Sequence, residues 1–126
     1  MSFIYLASPY TASLHCTPTE AAIVRQMRYD EAAKATAWFL CRGKAIFSPI
    51  VHCHGLAIRH DLPKDIAFWK WYNDCMLGEA YALYVLTLKD WESSKGVQHE
   101  IEIARSKDLA VWRVEEEDGT YISRLA

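Results

Sequence analysis

Apolar positions along the chain follow two rhythms. Near-continuous apolar runs, at Phe3–Ala7, Ala45–Ser48, Tyr81–Leu88 and Leu109–Val114, read as strands. Between them lie longer segments in which apolar residues recur at helical spacing. Tyr81–Leu88 (YALYVLTL) is apolar almost without a break, the pattern of a central strand buried on both faces. The first run ends at Ser8-Pro9. A helix then begins at Thr17: Thr17 caps it, Pro18 suits its first position and Glu20 completes a capping box. It runs to about Arg42, with Ala33, Ala37, Leu40 and Cys41 as its buried face and Gly43 as its stop. Residues 50–63 form a long histidine-bearing connection with room for one short helix. Another helix runs from Pro63-Lys64-Asp65 to about Leu77, and a further one from Gly96 to about Lys107. Glu115–Gly119 is an acidic turn, and Tyr121–Leu125 is a small edge strand or a tail.

Strands alternating with helices predict one α/β domain over residues 1–126. The expected architecture is a three-layer, Rossmann-like or flavodoxin-like parallel sheet of four to five strands. Helices cover both faces and the crossovers are right-handed. Ligands of such sheets bind beyond the carboxyl ends of the strands. Chemistry is therefore expected in Ser8–Tyr10, Pro49–His54, Lys89–Gly96 and the acidic turn.

Composition narrows the class. The chain has 126 residues, 52% of them apolar, enough for a real core. A formal net charge of -2 gives no electrostatic case for nucleic-acid polymers or membrane surfaces. No apolar run approaches a membrane span, and MSFIYLASPY lacks the basic and apolar regions of a secretory signal. Cys16, Cys41, Cys53 and Cys75 include no CxxC pair. They read as reduced, buried thiols of a cytoplasmic protein.

The segment Ser93–Glu100 (SSKGVQHE) carries the strongest chemical signal. If Gly96 lies at the start of its helix, Glu100 has Val97, Ile103 and Ala104 as helical neighbours, whereas Glu102 neighbours Gln98, Arg105 and Ser106. Glu100 then borders the buried face near the strand ends, and Glu102 faces water. Burial raises a carboxyl's pKa, while the free N–H groups of the helix start oppose that rise. Such a carboxylate, ionised and poorly hydrated, suits a nucleophile. Ser93-Ser94-Lys95-Gly96 supplies hydroxyl and backbone donors for an anion at the same helix start. The plainer alternative is that Ser94 only caps the helix and Glu100 pairs with a lysine.

Ser94–Glu100 has the form S-x-G-V-x-x-E, following an apolar strand and opening a helix. This resembles the nucleoside 2-deoxyribosyltransferase-like superfamily, whose D/S-x-G-x-x-x-E signature carries a glutamate nucleophile. Ile4–Tyr10 (IYLASPY) resembles that superfamily's opening strand, and Asp74 resembles its site aspartate. The resemblance covers about residues 3–114. Within it, YLASPYT, FSPI-x-H and the Asp90-Trp91 turn are similar to a small phage and bacterial family of unknown function. The resemblance implies cleavage of an N-glycosidic bond in a nucleoside or nucleotide, without a cofactor. Glu100 attacks the anomeric carbon, Tyr5 orients Glu100 through its hydroxyl, and Asp74 holds the base or helps protonate it. It also implies a homodimer or larger homo-oligomer. Serine rather than aspartate at position 94 resembles the hydrolases of nucleoside 5′-monophosphates, since a carboxylate there would repel phosphate. Those hydrolases carry a Ser-x-Arg pair in the first loop. Here Ser8-Pro9-Tyr10-Thr11 has no arginine, and Arg25 or Arg28 of the first helix is the candidate replacement.

Other residues join as candidate binding groups: Ser8 and Tyr10 of the first loop, His52 at the substrate mouth, Trp71 as a base platform, Trp91 as a shield over the sugar, and Ser94 with Gly96. Each has a structural alternative. A loop histidine can serve a carbonyl, and aromatics at helical spacing are commonly core or a subunit interface. His52-Cys53-His54, with His60 and Asp61, fits no compact zinc spacing, so no metal is expected. Base-exchanging transfer and a non-catalytic nucleotide-binding module are the competing functions.

Overall fold

The computed structural model describes residues 2–11 and 16–126. In chain order the elements are β1 (Ile4–Ala7), α1 (Pro18–Cys41), β2 (Ile46–Phe47), α2 (Pro49–Arg59), α3 (Ile66–Gly78), β3 (Ala82–Leu86), a 3₁₀ turn (Trp91–Ser93), α4 (Lys95–Ser106), β4 (Ala110–Glu117) and β5 (Thr120–Leu125). The strands form one mixed sheet in the order β2-β1-β3-β4-β5. The first three pairings are parallel and β4–β5 is antiparallel.

The sequence sets the centre of this sheet through burial. Every residue of β1 and β3 is buried, and these strands lie side by side with Tyr5 opposite Leu83 and Ala7 opposite Val85. Alternate side chains then point to opposite faces. Tyr5, Ala7, Leu83 and Val85 pack with Leu77 of α3 and with Val97, Ile101 and Ala104 of α4. Ile4, Leu6, Tyr84 and Leu86 pack with Ala35 and Phe39 of α1. Tyr5 thus stands on the α4 side by parity alone. The chain leaves β1 for β2 on one side and β3 for β4 on the other, so a crevice is expected where β1 and β3 end.

Local signals explain where the helices start. Thr17 and Glu20 form the expected capping box of α1. The side chains of Ser48, Asp65 and Ser94 accept backbone N–H bonds at the starts of α2, α3 and α4.

Several expectations are corrected. Residues 50–63 are chiefly an eleven-residue helix, α2. Ile50, Cys53, His54 and Ala57 recur at helical spacing and are all buried. The buried face of α1 is Ala32, Ala35, Thr36 and Phe39; Ala37, Leu40 and Cys41 are exposed and Ala33 is half-buried. The two stripes differ by one position in an alanine-rich helix, and Phe39 decides between them by packing on Tyr84 and Tyr121. The sheet is not wholly parallel, because Asp118 and Gly119 take positive φ (49° and 81°) and turn the chain straight back. Glu115–Glu117, expected in the turn, extend β4 instead. The four cysteines are free, but only Cys53 is buried, while Cys16 is half-buried and Cys41 and Cys75 are exposed. Among the described residues no helix is long and apolar enough to cross a membrane.

Candidate active site

A cleft of about 600 Å³ opens at the carboxyl ends of β1, β2 and β3, within the usual range for small-molecule sites of roughly 300–1,000 Å³. Its walls come from the loop after β1, the start of α2, the outer flank of α3 and the 3₁₀ turn leading into α4. The expected loops Ser8–Tyr10, Pro49–His54 and Lys89–Gly96 all contribute. The Glu115–Glu117 run does not; Glu115 and Glu116 line a separate hollow beside β4 and β5.

Glu100 belongs to the buried stripe of α4 with Val97, Ile101 and Ala104, whereas Glu102 is exposed. It is 7% exposed and lines the cleft. Its partner is a tyrosine rather than a lysine: the Tyr5 hydroxyl, rising from β1, donates to Oε2 of Glu100. Burial pushes the Glu100 carboxyl up to about 8; the Tyr5 bond pulls against this and the nearby Asp74 charge adds to it. Burial, and then the facing Glu100, raise the Tyr5 hydroxyl well above its ordinary value. Tyr5 itself is fully buried and braces Glu100 from behind.

Asp74 projects into the cleft from α3. Its Oδ1 lies 2.9 Å from Nε2 of His99, and its Oδ2 accepts from Lys70 Nζ at 3.3 Å. His99 immediately precedes Glu100, so α4 presents an imidazole and a carboxyl to the same cleft. Ser94 lines the cleft while capping α4, with Ser93, Lys95 and Gly96 beside it.

A second polar cluster sits across the cleft. The Tyr10 hydroxyl lies 2.6 Å from Nδ1 of His54, and Nε2 of His54 lies 3.1 Å from Oε1 of Gln26. The Gln26 amide donates to Asp30 at 3.0 Å, which turns Oε1 toward the imidazole. His54 therefore carries its proton on Nε2, and Tyr10 donates to Nδ1. His54 also stacks on Tyr29 with ring centroids 4.6 Å apart. Burial and the Arg25 charge lower its pKa, in keeping with a neutral ring. With its proton so committed, Tyr10 offers a ligand an oxygen acceptor.

Two buried polar atoms of cleft-lining residues, Ser8 Oγ and Asn73 Oδ1, have no hydrogen-bond partner among the described residues. Buried polar atoms are normally paired.

Other candidates lie elsewhere. His52 is exposed on α2, stacked on Tyr72 with interplanar angle 10°, and does not line the cleft. His54, two positions on, faces the opposite side of the helix and does. Trp71 is 68% exposed and outside the cleft. Trp69, Lys70, Asn73 and Asp74 make the lining flank of α3, so Trp69 takes the aromatic place, its indole N–H bonded to the Pro63 carbonyl at 2.7 Å. Trp91 packs against the core and borders the hollow beside β4, not the cleft. Arg28 reaches the cleft, but it bonds the Thr11 carbonyl at 2.6 Å and approaches Asp90 at 4.0 Å. It thereby ties the loop after β1 to the loop after β3. Arg25 does not line the cleft. Among the described residues no cluster of three or more His, Cys, Asp or Glu has the geometry to hold a metal.

Sequence reasoning missed His99, His54, Trp69 and Asn73. A signal existed for His54, since the spacing of Ile50, Cys53, His54 and Ala57 marks one helix face. For His99 there was none, because its partner lies 25 positions away.

No curated protein matches the chain. A family model described as "Domain of unknown function (DUF1937)" matches residues 2–116, and the chain belongs to that family.

Proposed function

We propose that this cleft binds a nucleoside 5′-monophosphate or nucleoside and cleaves its N-glycosidic bond, with Glu100 as the nucleophile. The observation that carries the reading is Glu100 itself: a buried carboxyl at the cleft wall, paired to a tyrosine hydroxyl and, among the described residues, to no cation. A buried carboxyl with a perturbed pKa in a ligand-sized cleft is a functional candidate. An oxocarbenium-like centre brought against it supplies the positive charge that favours its ionised form. Attack on the anomeric carbon gives a glycosyl ester, and water or a second base resolves it. Tyr5 fixes the attacking oxygen. Ser94 and the N–H groups at the start of α4, with Lys95, are arranged to suit a 5′-phosphate. The Tyr10 oxygen, an acceptor at the cleft, would read a donor on the ligand.

The same reading takes the fold as a three-layer, flavodoxin-like domain, supported by the strand order and by apolar clusters on the two sheet faces. It also takes the protein as a cytoplasmic homo-oligomer, for which exposed Phe68, Trp71 and Tyr81 supply apolar surface.

Incubation with a panel of nucleosides and their 5′-monophosphates, followed by chromatography for free base, tests the activity. Base release should occur and should be abolished in Glu100→Ala. Release at the wild-type rate in that variant rejects the assignment. Adding a second free base separates hydrolysis from transfer through the appearance of a new nucleoside.

A further inference from the structure

Both oxygens of Asp74 are occupied by donors, Oδ1 by His99 and Oδ2 by Lys70. Held so, Asp74 accepts two hydrogen bonds and has no proton to give to a departing base. The imidazole beside it does. His99 lines the cleft, its side chain is 23% exposed, and it precedes Glu100 along α4 by a single residue. With Nε2–H committed to Asp74, Nδ1 is the ring nitrogen left for the cleft.

We propose that His99 is the general acid of the glycosidic reaction and that Asp74 is its positioning partner. The substrates would be N-glycosides whose heterocycle must take up a proton as it leaves. The inference rests on the glycosidic reading above. In the first step the C1′–N bond breaks and its electron pair goes to the base, which receives the proton of His99 Nδ1. An oxygen of the Glu100 carboxylate forms the new bond to C1′. In the second step water attacks C1′ and gives its proton to the now neutral Nδ1. The C1′–O bond breaks with its electrons returning to Glu100. Asp74 keeps Nε2 protonated throughout and stabilises the imidazolium, as carboxylate partners of histidine do.

The titratable and charged groups sharing the cleft with His99 are Asp74 and Lys70 on α3, Lys64 and Asp65 just before it, Glu100 and Lys95 on α4, and Tyr10, Arg28, Cys53, His54 and Asp90 on the other walls, with Tyr5 behind Glu100. The active form needs Glu100 ionised and His99 protonated at once. Cleavage by the wild type therefore rises and then falls with pH, one limb from each group. A leaving group that needs no proton removes the requirement for His99, and the rate then climbs with pH as Glu100 ionises, near its value of about 8.

The test compares natural nucleoside 5′-monophosphates with 4-nitrophenyl glycosides of the same sugar phosphate, whose leaving group departs without a proton. His99→Gln should slow the natural substrates at least about 100-fold and the nitrophenyl substrates less than about threefold, and should turn the alkaline fall into a rise. Equal slowing of both substrate types, or unchanged release from the natural ones, overturns the proposal while the glycosidic reading stands. Failure of the wild type to cleave either type overturns both. A second readout is nitrogen NMR of the full chain at pH 9. Neutral His99 should carry its proton on Nε2, and Asp74→Asn should abolish that preference. A wild-type ring protonated on Nδ1 overturns the proposal.

Discussion

Tyr5 and Glu100 stand 95 positions apart in the chain and share a buried hydrogen bond, the tyrosine donating to the carboxyl. One comes from β1 and the other from α4, and the alternation of β1 points Tyr5 to the α4 face. The bond gives a desolvated acid one fixed donor while its remaining surface meets the cleft.

The Glu100 carboxyl should make folding stability depend on pH. Its pKa in the folded chain, about 8, lies above the ordinary value of 4.5. Between those values the folded protein holds a proton that the unfolded chain releases. The unfolded state binds fewer protons, so stability falls as pH rises through that window, at up to about 1.4 kcal/mol per pH unit for this group. Glu100→Gln keeps the shape and removes the titration. Urea midpoints at pH 5, 6.5 and 8 should show wild type losing ground to the variant. Parallel curves would mean that Glu100 carries no buried proton.

Tyr5→Phe leaves the burial of Glu100 intact and removes the donor that lowers its pKa. The carboxyl should then ionise at still higher pH. Under the proposed chemistry, base release at pH 7 falls about 10- to 100-fold and the rate profile moves to the alkaline side. Leaving the carboxyl unpaired costs about 1–3 kcal/mol of stability. Rate profiles and denaturation of the same variant check both statements, and an unmoved profile would contradict the link between the two residues.

Ser94→Asp separates capping from phosphate recognition. Aspartate caps helices as well as serine does, so stability should change by less than about 0.5 kcal/mol. A carboxylate at the start of α4 repels a 5′-phosphate. The KM for monophosphates should rise at least about tenfold, with that for nucleosides much less affected. An equal rise for both would place the phosphate elsewhere.

The two tryptophans of α3 differ in role. Trp69 lines the cleft and Trp71 is turned out to solvent. Trp69→Ala should weaken nucleotide binding by about 1–3 kcal/mol if a base stacks there, while Trp71→Ala leaves affinity unchanged. Calorimetric titration of a nucleoside monophosphate into each variant reads the difference, and the reverse ranking would restore Trp71 as the platform.

What the sequence by itself determined lies within a few residues of each signal. Thr17, Asp65 and Ser94 mark helix starts because a cap bonds an N–H only three positions on. The apolar run of β3 marks a central strand because both faces must be dry. Glu100 was legible on the inner side of α4 for the same reason, since its neighbours at three and four residues are apolar.

Tertiary structure alone decided the rest. The choice of stripe on α1 waited on where Phe39 meets Tyr84, and the choice between Trp69 and Trp71 on which flank of α3 meets the cleft. The pairs Tyr10–His54, 44 positions apart, and Asp74–His99, 25 apart, follow from strand order and helix packing. No periodicity along the chain encodes such pairings, because a hydrogen bond between distant residues depends on where the folded backbone brings them, whereas spacing reports only which face of one element each occupies.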